Sequence, residues 1–197
     1  MAVVYRPKFA NQIRDGGPTG PYDCTAWSCA FAIDRATLGG VKVTGRQLRL
    51  ASNEPRPDPA SPGLNLTQVT SAAFRLTRVV LTPRRGSWAV MLRHLGPSGV
   101  LLPGDYDQIP AAFDCQPGFN DLHAVYLNNQ NSGSVTAADG RIYGPGECAL
   151  TYDPLCSAFR WVPLVVLRKY AEKYARRVGY TGGVIYATTR ATPLIAA

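Results

Sequence analysis

Residues 22–34, Tyr-Asp-Cys-Thr-Ala-Trp-Ser-Cys-Ala-Phe-Ala-Ile-Asp, constrain this chain more than any other stretch. Trp27, Phe31 and Leu38, with Ala30 between them, recur at helical spacing and predict a buried helix that begins at a cysteine. Asp23 suits the N-cap, because its carboxylate can accept a bond from a free first-turn N–H. Gly39-Gly40 supplies a left-handed stop at the other end. Cys24 then sits where unpaired N–H groups and the helix dipole favour an anion. A thiol so placed can have its pKa lowered from about 8.5 to roughly 3.5–7.5, and the thiolate is the nucleophilic form. Residues 15–21, Asp-Gly-Gly-Pro-Thr-Gly-Pro, read as a flexible surface run that leaves the helix end open. From this stretch alone, a core helix that merely starts with Cys remains the alternative.

The 197 residues suffice for one domain with a real core, with 1–21 as an arm and loop and 178–197 as a last strand and tail. At 46% hydrophobic and 17% charged the chain is globular rather than disordered. The longest apolar run, 161–167, is interrupted by Pro163 and is too short to span a bilayer. Residues 1–6 lack the apolar stretch of a signal peptide, so if the chain leaves a cell, another route is expected, such as lysis or as part of a particle. The net charge of +8 favours anionic partners: nucleic acid, acidic wall polymers or a negative protein surface. Its densest cluster, Arg168, Lys169, Lys173, Arg176 and Arg177, reads as the solvated face of a late helix. Aromatic and basic residues do not interleave as a stacking groove requires, so no nucleic-acid partner is expected.

The cysteines, 24, 29, 115, 148 and 156, are odd in number and contain no C-x-x-C pair. That pattern argues against both a disulfide framework and a zinc site. Cys148 and Cys156 could pair across a turn, but a reduced state is the simpler expectation. With only His94 and His123 in the chain, no metal or other cofactor is expected.

After the first helix, 41–43 is short and extended, 44–50 forms a helical turn, and 52–63, with four prolines, must be irregular. Asn65 and Gln68 form a capping box for a helix over 65–77, with Leu66, Val69, Ala73 and Leu76 as its apolar face. A short strand is expected at 79–81, and a third helix opens at Ser87 with His94 exposed near its end. From Val100 the pattern turns to strands: 100–106, 122–128 and 147–152, the last ending at Asp153-Pro154. Ile142-Tyr143 belongs to a loop or to the returning strand. Pro163 falls in the first turn of a helix running to Arg177, and 184–188 reads as a closing strand. Helices first and an antiparallel sheet second make an α+β arrangement.

If strands 122–128 and 147–152 pair antiparallel, the start of the first lies beside the end of the second. His123 and Asp153 then share one end of the sheet. A helix whose N-terminus points at that end brings a sulfur, an imidazole and a carboxylate together. Chemistry wants these types in this order of contact: the imidazole takes the thiol proton, and the carboxylate fixes the ring and stabilises the imidazolium.

Tyr-Asp-Cys-Thr-Ala (22–26), Asp-Leu-His-Ala-Val (121–125) and Tyr-Asp-Pro-Leu (152–155) resemble the motif blocks of papain-like cysteine peptidases, in the branch of bacteriocin-leader (double-glycine) peptidases. More narrowly, residues 10–178 resemble peptidase-like proteins encoded among tail genes of actinobacterial phages. Segments 32–39, 61–66 and 152–156 carry that closer likeness. The resemblance implies a papain-like fold, with helices packed on an antiparallel sheet, and a catalytic Cys24-His123-Asp153 triad. It also implies hydrolysis of an amide bond, such as a peptide crosslink in the host cell wall, and a place in the virion beside other tail proteins. The family's oxyanion-hole glutamine stands a few residues before its cysteine; here the nearest is Gln12, twelve before, which reaches the site if the glycine-rich loop bulges outward. The family's usual residue after the nucleophile is glycine-like, and here it is Thr25. Two other readings use the same residues: an inactive structural tail component, and transglutaminase-like acyl transfer.

Overall fold

The structure is a computed structural model that describes residues 5–57, 63–156 and 158–189. Residues 1–4 of the N-terminal arm, Pro59 and Pro62 of the proline-rich segment, Ser61 of the 61–66 segment and the tail from 190 lie outside the described residues.

Short helix α1 (Gln12–Asp15) leads through a 3-10 turn (Gly17–Tyr22) into α2 (Cys24–Ala36). Helices α3 (Gly45–Ala51) and α4 (Leu66–Thr77) follow, each opened by a complete capping box, Thr44 with Gln47 and Asn65 with Gln68. Then come strand β1 (Leu81–Gly86), the short helices α5 (Trp88–Leu92) and α6 (Leu95–Ser98), and strand β2 (Val100–Asp105). Strand β3 (Leu122–Gln130) is followed by a small hairpin, β4 (Val135–Thr136) with β5 (Ile142–Tyr143), and by β6 (Cys148–Tyr152). Strand β7 (Arg160–Pro163), helix α7 (Leu164–Arg177) and strand β8 (Val184–Thr189) complete the order.

Six strands form one antiparallel sheet in the order β1-β8-β2-β3-β6-β7. Alternate residues of each strand face opposite sides. Leu101, Tyr126, Tyr152 and Ala187 therefore pack with α2, α3 and α4 through Phe31, Ile33, Leu48 and Val69. Leu102, Val125, Leu127 and Tyr186 pack on the other side with Met91, Leu95, Leu167 and Tyr170. Both faces are covered, which is why β3 is buried through most of its length.

Several elements differ from the sequence expectation. Helix α2 ends in a Schellman arrangement, with Gly39 N–H on the Asp34 carbonyl and Leu38 N–H on that of Arg35. Leu38 itself takes the left-handed conformation (φ 50°) and is 44% exposed, so it leaves the apolar face that Trp27 and Phe31 share. Leu76 is also exposed, because the face of α4 that meets α2 is narrow and filled by Val69, Ala72 and Ala73. The strand expected at 79–81 runs instead over 81–86, through Pro83, Arg84 and Arg85; it is the sheet edge, where a proline and charges are tolerated. Residues 160–163 form strand β7, and Pro163 is its last residue and the N-cap of α7. Strand β8 is the last described element but lies inside the sheet, between β1 and β2. Pro103, in a nearly central strand, is accommodated because β8 pairs with β2 only at Leu101 and leaves the outer side of Pro103 free.

The basic face of α7 is largely satisfied locally. Arg168 pairs with Glu172 at 2.7 Å, Lys173 with Asp107 at 2.6 Å and Arg177 with Asp105 at 3.5 Å. Among the described residues, no helix is long and apolar enough to cross a membrane.

Candidate active site

Cys24 is the first residue of α2, and its side chain is half-buried. Asp23 holds the N-cap position and its backbone carbonyl accepts from Trp27 N–H, but its carboxylate makes no capping bond. It is turned inward instead, to Arg49 Nε at 2.5 Å and the Thr19 hydroxyl at 2.6 Å. Arg49 also donates to the Tyr22 carbonyl at 3.0 Å, so the turn just before Cys24 is anchored from α3. A charge-assisted bond to a buried guanidinium outcompetes a backbone cap, and sequence alone does not reveal that partner.

Residues 15–21 are folded rather than a loose run: Asp15 ends α1 and the 3-10 turn starts at Gly17. A side-chain carbon at Gly16 or Gly20 would collide with the Gln12 carbonyl, so the glycines let the chain close over Gln12. This turn takes up the twelve-residue spacing between Gln12 and Cys24. Gln12 is fully buried; its backbone N–H donates to Pro154 O at 2.8 Å, and Asn11 Nδ2 donates to the Leu155 and Cys156 carbonyls. The Gln12 backbone is thus tied to the turn that carries Asp153. Its Nε2 makes only a long 3.5 Å contact with Pro21 O, and its Oε1 has no hydrogen-bond partner.

His123 and Asp153 meet at the sheet end that antiparallel pairing of β3 and β6 predicts. Nε2 of His123 donates to Oδ1 of Asp153 at 2.8 Å, and both residues are nearly inaccessible, at 2% and 6% exposure. Leu155 N–H donates to the same carboxylate oxygen at 2.9 Å. The other ring nitrogen, Nδ1, is buried without a conventional hydrogen-bond partner, and the Cys24 sulfur acts on the ring by charge.

The electrostatics follow from this contact. Burial works against a protonated His123, but the charges of Asp153 and Cys24 prevail and push its pKa up to about 10. Burial likewise opposes a Cys24 thiolate. The His123 charge, the Thr25 hydroxyl at 3.9 Å from Sγ and the Ala124 backbone more than offset it, and the thiol pKa falls below its ordinary value. Asp153, though buried, is held below its usual range by His123 and Leu155 N–H. The arrangement favours a thiolate beside an imidazolium. By contrast Cys29, buried among apolar groups with no such partner, has its thiol pushed up.

Three neighbours were not legible in the sequence. Tyr106, in the 3-10 turn just after β2, donates its hydroxyl to Asp153 Oδ2 at 3.3 Å. Tyr170 of α7 donates to the His123 carbonyl at 2.7 Å, through a gap left by Gly104. Cys115 and Cys156 form a disulfide across 41 positions. This corrects the expectation of reduced cysteines or a Cys148–Cys156 pair; Cys148 is free and buried. The β6–β7 turn points Cys156 at the 115 loop, not back along its own strand. Ligand-type atoms of Cys115, Asp153 and Cys156 lie within 4.8 Å of one another, but the two sulfurs are bonded to each other and Asp153 is engaged with His123.

No family model matches the chain, and no curated protein matches it. Among solved structures it is similar to a protein from Bacillus anthracis described as a "putative C39-like peptidase", with a TM-score of 0.57 and 14% identity, over 97% of this chain and 98% of that one. At that identity the likeness speaks to architecture: this chain shares that protein's α+β fold, with helices packed on an antiparallel sheet.

Proposed function

We propose that this chain is a cysteine peptidase or amidase in which Cys24 is the nucleophile, His123 the acid–base and Asp153 its orienting carboxylate. The observation that carries this reading is the His123–Asp153 bond of 2.8 Å beside a cysteine at a helix start, on a peptidase-like fold. The thiolate adds to the scissile carbonyl carbon and forms a C–S bond. The imidazolium gives its proton to the departing amine as the C–N bond breaks. Water then attacks the thioester, its proton passes to His123, and the acid product leaves as the C–S bond breaks. The carbonyl oxygen of the tetrahedral intermediate is received by the Cys24 backbone N–H and Gln12 Nε2, whose present 3.5 Å contact is weak enough to exchange.

The substrate class we assign is a peptide crosslink of the host cell wall, with the chain carried among the tail proteins of a phage. The resemblance of segments 32–39, 61–66 and 152–156 and the net charge of +8, suited to an anionic wall, support that assignment. A second reading, an inactive structural component of the tail, is favoured by the complete burial of Gln12. The two are separated by treating the full chain with iodoacetamide at mildly acidic pH and mapping the modified residue, alongside hydrolysis of wall peptides. Selective labelling of Cys24, with cleavage lost in Cys24→Ala while the fold persists, supports the peptidase. Absence of both leaves the structural role.

A further inference from the structure

Asp153 is gripped on both oxygens. Oδ1 accepts from His123 Nε2 at 2.8 Å and from Leu155 N–H at 2.9 Å; Oδ2 accepts from the Tyr106 hydroxyl at 3.3 Å. The hydroxyl in turn accepts from Cys115 N–H at 3.1 Å, which orients its own proton toward the carboxylate. Burial and the Asp153 charge both hold that proton on Tyr106, so it stays a donor across the working pH range. The Tyr106 ring, 2% exposed, meets the His123 ring edge-on with centroids 5.1 Å apart, and meets Phe119 at 5.3 Å. One residue therefore touches both the carboxylate and the imidazole.

The disulfide joins the two sides of this grip. Cys115 supplies the N–H that fixes Tyr106, and Cys156 closes the turn begun at Asp153, with its N–H on the Asp153 carbonyl at 3.0 Å. The two α-carbons are 5.1 Å apart. Donor loop and acceptor turn are thus covalently tied at the place where the carboxylate must not rotate.

We propose that Tyr106 is the positioning residue for Asp153, and that the Cys115–Cys156 bridge is the brace that keeps it there. The inference rests on the peptidase reading. Without the hydroxyl, Oδ2 is left buried and under-partnered, and the carboxylate turns or takes up a proton. His123 then loses the charge that holds its proton, and Cys24 loses the cation that stabilises its thiolate.

The test is the pH dependence of Cys24 alkylation by iodoacetamide in the full chain, which needs no substrate. Tyr106→Phe keeps the ring contacts and removes only the hydroxyl. Its alkylation profile is expected to move to higher pH, with the rate at mildly acidic pH reduced about tenfold, the scale of one bond to a charged group. The paired substitution Cys115→Ser with Cys156→Ser is expected to move the profile the same way. A Tyr106→Phe profile that superposes on the parent overturns the positioning role, and an unmoved double-serine profile overturns the brace. If the parent thiol itself alkylates with an ordinary thiol profile, it is the peptidase reading that fails.

Discussion

The His123 imidazole and the Asp153 carboxylate, thirty positions apart, share a 2.8 Å hydrogen bond at one end of the central sheet. The contact needs no long-range search once β3 and β6 pair, since Tyr126 opposite Tyr152 already brings the two strand ends together. Asp153→Ala removes the charge that most raises His123, apart from the burial that opposes it. Peptide hydrolysis by this variant is expected to fall about 100-fold or more, the range of lost acid–base function. The alkaline limb of its pH profile should move down from about 10. Steady-state rates across pH check both.

On the proposed peptidase reading, the parent protein should show a broad plateau of activity. Cys24 must be deprotonated, and its lowered pKa moves the rising limb to a pH below that of an ordinary thiol. His123 must be protonated to assist the leaving amine, and its raised pKa places the falling limb near about 10. A falling limb near neutrality would contradict the ion pair.

Arg49→Met leaves the Asp23 carboxylate buried without its cation; the pair is 1% and 0% exposed. Breaking such a pair costs about 3–5 kcal/mol, measurable by denaturant unfolding. Combining it with Asp23→Asn should recover much of that loss, because no uncompensated charge remains.

Gly104→Ala drives a methyl into the Tyr170 ring. Overpacking of this kind costs about 1–3 kcal/mol, read as a lower midpoint in thermal or denaturant unfolding. Because Tyr170 also holds the His123 carbonyl, the folded fraction should lose activity as well.

Gln12→Ala tests the oxyanion assignment. Loss of one such donor lowers kcat about 100–1,000-fold, with binding less affected. An unchanged kcat would remove Gln12 from the role.

Much of the site could be read locally. Cys24 at a helix start, the capping box at Asn65, the start of strand β3 and the end of strand β6 are written in short-range patterns of polarity and capping. The misreadings share one cause. Asp23 looked like a cap because its better partner, Arg49, lies on another helix. The strand expected at 79–81 lies at 81–86, where Pro83 and two arginines suit only an edge, and edges are a property of the assembled sheet. Cys115 and Cys156 carry no spacing signal, and Tyr106 is an ordinary turn aromatic until Asp153 arrives beside it.

The order of amino acids decided which segments become helices and strands, where most of them begin, and which three residue types could do thiol chemistry. Those are set by hydrogen bonds and side-chain periodicity within a few positions. Only the folded chain decided that the Tyr106 hydroxyl would meet Asp153 beside a Cys115–Cys156 disulfide, that Gln12 would be carried back beside the Asp153 turn, and that the Cys24 and His123 charges would act on each other. Each of these depends on desolvating polar groups from distant segments against one another, and the energy of such a contact exists only after the sheet and its two helical layers have closed around it.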